Sequence, residues 1–367
     1  MDSFTQRRTV LAAGALLDPH KAAAQAASQS VLRTALGRGK FIVGSGSTNP
    51  PRNLSDQNMK LSPDTVWLGI TPTLWWNDDF INIDIGIPFE QCVSEMALTD
   101  FRGCSIGHKF PTDPDKLRGA LELRDLRISE PWVSTYFTIE AMKEQTIRNV
   151  RERLAFMQAV EGRSDDPRRA DLVVAELGHA VHPLPVNLFP NCPTFTEPQW
   201  DLLFEGLNEI GRIAREEGRL LCYHPHLGTG VMVRSAVDKL FGSTDPKLVH
   251  MLLDTAHLEA GGADPLAVAR KFAPRIKHVH LKDVRADIVN RTHEEGWSFA
   301  KAIEEGIFTV PGDGSLSRDS LPQILQVLAD SGFQGWLVIE AEQDPAKANP
   351  LYYAKKARAF LRKHLEW

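Results

Sequence analysis

From residue 65 onward, short apolar runs alternate with longer amphipathic stretches. The runs are Val66–Ile70, Gly103–Ile106, Pro131–Phe137, Leu172–Glu176, Arg219–His224, Val249–Asp254, Ile276–Lys282 and Trp336–Glu340. Between them, apolar positions recur at helical spacing in Phe89–Leu98, Ile139–Val160, Trp200–Glu216, Pro265–Lys271 and Leu321–Leu328, and a last helical segment covers about residues 351–361. Parallel neighbours need a crossover helix, so this alternation predicts a parallel sheet and an α/β fold. Eight strands over about 300 residues suit a closed (β/α)8 TIM barrel. The runner-up is an open doubly wound sheet. That fold would place G-x-G-x-x-G after its first strand, and none follows Val66–Ile70.

The pattern is absent upstream. Residues 1–62 combine Ala-rich pieces with Gly44-Ser45-Gly46-Ser47 and Asn49-Pro50-Pro51, which reads as an irregular N-terminal extension or linker ahead of a barrel over 63–367. Arg7-Arg8 followed by Val10–Leu17 has some likeness to a twin-arginine export signal, but the stretch is short and Asp18, His20 and Lys21 interrupt it. A cytoplasmic protein with a loosely attached leader is therefore expected, with export as the alternative.

Composition narrows the partners. The 367 residues are 43% hydrophobic and 24% charged, ordinary for a globular protein, and the formal charge is 42 − 47 = −5. A slightly acidic chain is poorly suited to grip a polyanion, so no nucleic-acid partner is expected. No apolar run approaches the ~20 residues of a membrane helix, so no membrane partner is expected either. Cys92, Cys104, Cys192 and Cys222 are scattered without a C-x-x-C pair and read as small buried side chains. Homo-oligomerisation is left open.

The chemistry lies where the strands end. Five successive runs finish in ionisable groups: Asp171–Glu176, Cys222–His226, Met251–His257, His278–Asp283 and Leu337–Glu342. A barrel of this kind carries its active site at the carboxyl ends of its strands. A buried carboxylate without a partner costs several kcal/mol, and several converging on one mouth call for a shared counter-ion. The set Glu176, Asp254, His280 and Glu340 supplies three carboxylates and one imidazole. That set suits Mn²⁺ or Co²⁺, with Mg²⁺ as a further candidate. Alternation puts His278, His280 and Lys282 on one face of their strand, and Glu340 and Glu342 together on theirs. His278 lies one step deeper, as a supporting or packing residue. His179 and His182 read as loop histidines when taken alone. His224 and His226 are balanced between substrate contact and a structural role. Asp264, Asp283 and Asp287 read as caps or surface charges, and Gly312-Asp313-Gly314 as an ordinary turn.

These residues resemble a known family. Trp75–Asp79, Asp254–His257, His278–Val284, Phe308–Gly314, and Glu340–Pro345 with Asn349-Pro350 are similar to segments of the inosose dehydratases of inositol catabolism. The resemblance covers roughly 65–365 and lies within the xylose-isomerase-like barrels. It implies metal ligands at Glu176, Asp254, His280 and Glu340, and substrate contact by His257. It also implies substrate-binding roles for Trp76, Asn77, His182, His224, His226, Lys282 and Glu342. Many of these barrels carry a glutamate near the end of strand two. This chain has Cys104–His108 there, which bears on substrate identity more than on reaction type.

The implied reaction is loss of water from 2-keto-myo-inositol, or a closely related cyclic polyhydroxy ketone, through an enediolate stabilised by the cation. Glu176 or Glu340 is the expected base; His257, His182 and Lys282 are candidate acids. The nearest rival is a ketose or keto-sugar epimerase or isomerase, or a lyase on keto-glycosides. An apurinic-site endonuclease would want more histidine ligands and a basic groove. A non-catalytic sugar-binding barrel would not need carboxylates placed for proton transfer.

Overall fold

The computed structural model describes residues 61–162 and 166–367. The leader with Arg7-Arg8 and the Gly/Ser/Pro stretch fall in residues 1–60, outside the described residues.

Among the described residues, eleven strands form where β-branched and apolar runs meet turn residues. They are β1 (Val66–Ile70), β2 (Gly103–Ser105), β3 (Arg127–Glu130), β4 (Trp132–Thr135), β5 (Leu172–Glu176), β6 (Leu221–Tyr223), β7 (Val249–Asp254), β8 (Ile276–Leu281), β9 (Asp283–Val284), β10 (Phe308–Thr309) and β11 (Gly335–Ile339). Nine share one sheet in the order β3-β2-β1-β11-β8-β7-β6-β5-β4, and every pairing in it is parallel. The short β9–β10 pair is antiparallel.

The two ends of that order, β3 and β4, are adjacent in the chain. Only Pro131 separates them. Proline has no amide hydrogen to give to a ladder, so one long strand is split into halves that pair with different neighbours, β3 with β2 and β4 with β5. Counted as one, they close the sheet into a barrel of eight strands. The (β/α)8 TIM barrel expected from the alternation is the observed fold.

Helices wrap the outside: Phe89–Leu98, Lys143–Glu161, Glu197–Glu216, Pro265–Phe272, Ser320–Asp330 and Pro350–Leu365 lie where the apolar periodicity predicts them. Pro114–Glu122, Arg234–Ser243, Ala286–Glu295 and Phe299–Glu304 were not anticipated. They are short, and two of them are marked by side-chain caps. Asp113 accepts from the Lys116 amide with Pro114 in the first turn, and Ser298 accepts from the Lys301 amide. No helix among the described residues is long and apolar enough to cross a membrane.

Two apolar clusters result. The large one lies between strands and helices and takes Leu172, Val174, Leu221, Tyr223, Val249, Met251, Leu253, Val279, Leu281, Leu337 and Ile339 from the sheet. The small one, Val173, Cys222 and Leu252 with Trp132 against it, comes from the opposite strand faces and fills the barrel's inside. Above this thin layer the inward positions are occupied by charged and imidazole side chains. All four cysteines are free.

Candidate active site at the carboxyl ends of the strands

Strand alternation explains which groups meet. Leu252 faces inward, so Asp254 does too. The same rule turns His224 inward from Cys222. Val279 and Leu281 face the helices, which sends His278, His280 and Lys282 to the inside, and Leu337 and Ile339 do the same for Glu340. Every one of these inward groups is buried.

His224, Asp254, His280 and Glu340 bring one ligand atom each to within 4.8 Å of one another. His224 Nε2 lies 3.3 Å from Asp254 Oδ2, and His280 Nδ1 lies 2.8 Å from Glu340 Oε2. Asp254 caps the helix Thr255–Ala260: its Oδ1 accepts from the amides of Ala256 and His257 at 2.9 and 2.8 Å. Its Oδ2 is buried with no hydrogen-bond partner, as are both ring nitrogens of His224. Buried polar atoms left this way are costly. Here they face one another with carboxylate and imidazole donors, the chemistry of a divalent-cation site.

Electrostatics agree. Burial opposes ionisation of Glu340, yet Lys282 and His280 hold its carboxyl well below the usual range. Burial also opposes a charge on His280, but Glu340 and Glu130 push its pKa up to about 10. The cluster therefore has a surplus of negative charge, which a divalent cation would balance in place of that proton. His224 is driven the other way: burial lowers it against Asp254, leaving a neutral imidazole able to act as a ligand.

Lys282 adjoins the group. It is fully buried, with Nζ 3.3 Å from Asp254, 2.8 Å from Glu340 and 2.5 Å from Glu342. Burial opposes its charge, but the three carboxylates outweigh burial and keep the ammonium protonated. Beyond it stand His226, His257 and Glu342, whose ligand atoms also converge. His257 Nε2 lies 3.0 Å from Lys282 Nζ and 3.5 Å from Glu342 Oε1. Burial, then the neighbouring imidazoles for His226 and Lys282 for His257, holds both well below the ordinary imidazole value. His226 Nδ1 lies 2.9 Å from the Leu227 carbonyl, which only accepts, so Nδ1 carries the hydrogen and Nε2 is bare. His182 completes the wall, its ring 5.3 Å from that of His226. Phe299, Phe308 and Trp132 lie against these imidazoles at 5.8, 4.9 and 5.7 Å.

One expected ligand is turned away from the cluster, and two expected substrate contacts, Asn77 and Trp76, lie in the loop after β1, whose Asp79 is 3.9 Å from His182. Glu176, expected as ligand and base, falls on the side of Leu172 and Val174, facing the helices. Its oxygens accept from the Thr135 and Thr138 hydroxyls and the amides of Phe137, Thr138 and Gly178. Five donors leave it no coordinating capacity, and His224 stands where a fourth ligand was expected from it. Asn77 is buried, but its Oδ1 accepts from the Asp79 and Phe80 amides, which shapes the loop after β1. Trp76 packs against His108 and Phe110 at 5.8 and 6.3 Å.

One residue stands in another role and one was missed. His224, expected as a substrate contact, lies among the candidate ligand atoms, where its alternation with Cys222 sets it. Glu130 had no such signal. It lies 3.3 Å from His280 Nε2, deep inside the barrel.

A model of the xylose isomerase-like TIM barrel family matches residues 108–364. An inosose dehydratase of Bacillus anthracis is 44% identical over 298 residues, 81% of this chain and 96% of its own. Among solved structures, the probable 3-DHS dehydratase AsbF of Bacillus anthracis superposes with a TM-score of 0.58 at 16% identity, covering 80% of this chain and 98% of that one. The IolI protein with a bound zinc atom superposes with a TM-score of 0.59 at 11% identity, covering 82% of this chain and 98% of that one. Likeness to these structures concerns the fold.

Proposed function

The chain belongs to the xylose isomerase-like TIM barrels and, within them, to the inosose dehydratases, and from that premise we propose that this hydro-lyase removes water from 2-keto-myo-inositol or a close cyclic relative with the help of a divalent cation. The observation that carries the reading is the set of buried atoms without a hydrogen bond, Asp254 Oδ2 and both nitrogens of His224, converging with His280 and Glu340. Those four residues would hold the cation; Mn²⁺ or Co²⁺ suits two imidazoles and two carboxylates better than Mg²⁺ does. A barrel of the same fold carries a zinc atom. When bound, the cation would polarise the ketone and spread the charge that develops as the α-proton leaves.

The remaining steps fall to the neighbouring side chains. His257 is neutral and lies beside Glu342, 3.5 Å away, with its Nε2 3.0 Å from Lys282 Nζ. It is placed to take the α-proton, and Glu342 then stabilises the imidazolium. The same imidazolium returns its proton to the departing β-hydroxyl, so one group serves as base and then acid. Lys282, held protonated among Glu340, Glu342 and Asp254, supplies fixed positive charge near the oxygens that gain negative charge. His182 and His226 line the pocket as neutral polar groups for ring hydroxyls, and Phe299 and Phe308 exclude water. Glu176 has no part in these steps.

The test is chelation followed by incubation with 2-keto-myo-inositol, with and without Mn²⁺ or Co²⁺. Activity should fall on chelation and return with either ion, and the product should have lost one water and gained ultraviolet absorbance. Full turnover after thorough chelation would exclude the cation. A product of unchanged mass would indicate epimerisation instead.

A further inference from the structure

Glu130 reaches the inside of the barrel through an irregularity. In the β2–β3 pairing Cys104 opposes Ile128 but Ser105 opposes Glu130, so Ser129 is unmatched. A bulge of this kind re-aims the side chains that follow it. Ile128 packs in the outer cluster, whereas Trp132, two residues past Glu130, packs against the inner one. Glu130 is 2% exposed. A carboxylate buried so deeply persists only with partners.

Its partners form a column along the barrel. Oε1 lies 3.3 Å from His280 Nε2, and Oε2 lies 3.5 Å from His278 Nε2. His278 Nδ1 lies 2.9 Å from Asp171 Oδ2, and the Ser129 hydroxyl donates to Glu130. On the far side of the His280 ring, Nδ1 is 2.8 Å from Glu340 and 3.8 Å from Asp254. We propose that Glu130 is the positioning residue for His280: it accepts from Nε2–H, fixes the tautomer and ring plane, and leaves the Nδ1 lone pair facing the cation site. A neutral imidazole has one N–H and one lone pair, and a carboxylate at Nε2 settles which nitrogen is which. His278 and Asp171 hold Glu130 from below. A ligating histidine whose second nitrogen meets a carboxylate typically loses ten- to a hundred-fold in metal affinity when that partner is removed.

The proposal rests on the cation reading above, so Asp254→Asn is the control that separates the two. Co²⁺ is titrated into chelator-stripped wild type, Glu130→Gln and Asp254→Asn, with calorimetry giving affinity and the visible absorption of bound Co²⁺ giving ligand geometry. Circular dichroism checks the fold. Glu130→Gln should bind Co²⁺ about ten- to a hundred-fold more weakly, with a shifted absorption band. Should it fail to fold, His278→Gln, which removes the anchor behind Glu130, is expected to show a smaller loss and a shifted band. Wild-type affinity and spectrum in whichever variant folds, with binding lost in Asp254→Asn, would overturn the positioning role alone. Retention of Co²⁺ in Asp254→Asn would overturn the cation reading and the positioning role together.

Discussion

Lys282 is a fully buried ammonium in contact with three carboxylates, one of them shared with the helix cap at Asp254. Its charge compensates its neighbours, so at neutral pH it serves as a donor and not as a base. Glu176 shows the opposite case, a buried acid whose oxygens are occupied by the end of β4, the turn that follows it and the Gly178 amide. Glu176→Gln replaces acceptor capacity with an NH₂ that has only donors to meet. A hydrogen bond to a charged group contributes about 1.5–3 kcal/mol, so that variant should lose about 2–4 kcal/mol in denaturant unfolding. Its Co²⁺ affinity should match wild type; a Glu176→Gln protein that folds normally but cannot hold the ion would restore Glu176 as a ligand. Sequence reasoning selected Glu176 because a carboxylate ends an apolar run. In β5 both faces are apolar, Leu172 and Val174 on one and Val173 and Ala175 on the other, so nothing in residue type says which face is inside. His280 was legible because β8 alternates from His278 onward, with His278, His280 and Lys282 on one face and Val279 and Leu281 on the other.

Among the elements, the barrel's existence and its strand ends were readable, since each apolar run is bounded by turn or polar residues. The splitting of one strand into β3 and β4 was not. It follows from the unmatched Ser129 and from Pro131, and register is a property of two strands together. The same elements set a tight packing limit. A Cβ on Gly103 would come within 2.4 Å of the Trp336 ring, a rigid inward side chain at the foot of β11. Overpacking of this kind typically costs about 1–3 kcal/mol. Gly103→Ala should therefore lower the midpoint of thermal unfolding by several degrees, as scanning calorimetry would read. An unchanged midpoint would show that β2 can shift away from β11.

For the molecule as a whole, acid stability depends on imidazoles that fold in the neutral state. His250, on the inward side of β7, has a pKa lowered to about 4 by burial and then by Lys277 and Arg275. In the unfolded chain it titrates near 6.5. Between those values the unfolded chain binds the proton and the folded one does not, so stability is complete above pH 6.5 and declines as pH falls toward 4. His182, His224, His226 and His257 act in the same sense, while His278 and His280 oppose them. Comparing wild type with His250→Gln isolates one contribution: the variant should lose less stability between pH 6.5 and 4, measured by urea midpoints. Parallel curves would mean that His250 is protonated in the native state.

At Pro131 the ring of hydrogen bonds changes hands. Before it the strand gives its ladder to β2 and after it to β5, and the Ser129 and Pro131 carbonyls already accept from the amides of Asp171 and Val173. One strand thus works as a clasp between the two ends of the sheet. A nick there would leave each end holding only half of it, and Glu130, which reaches the cation site from beside the break, would lose the chain that fixes it on one side.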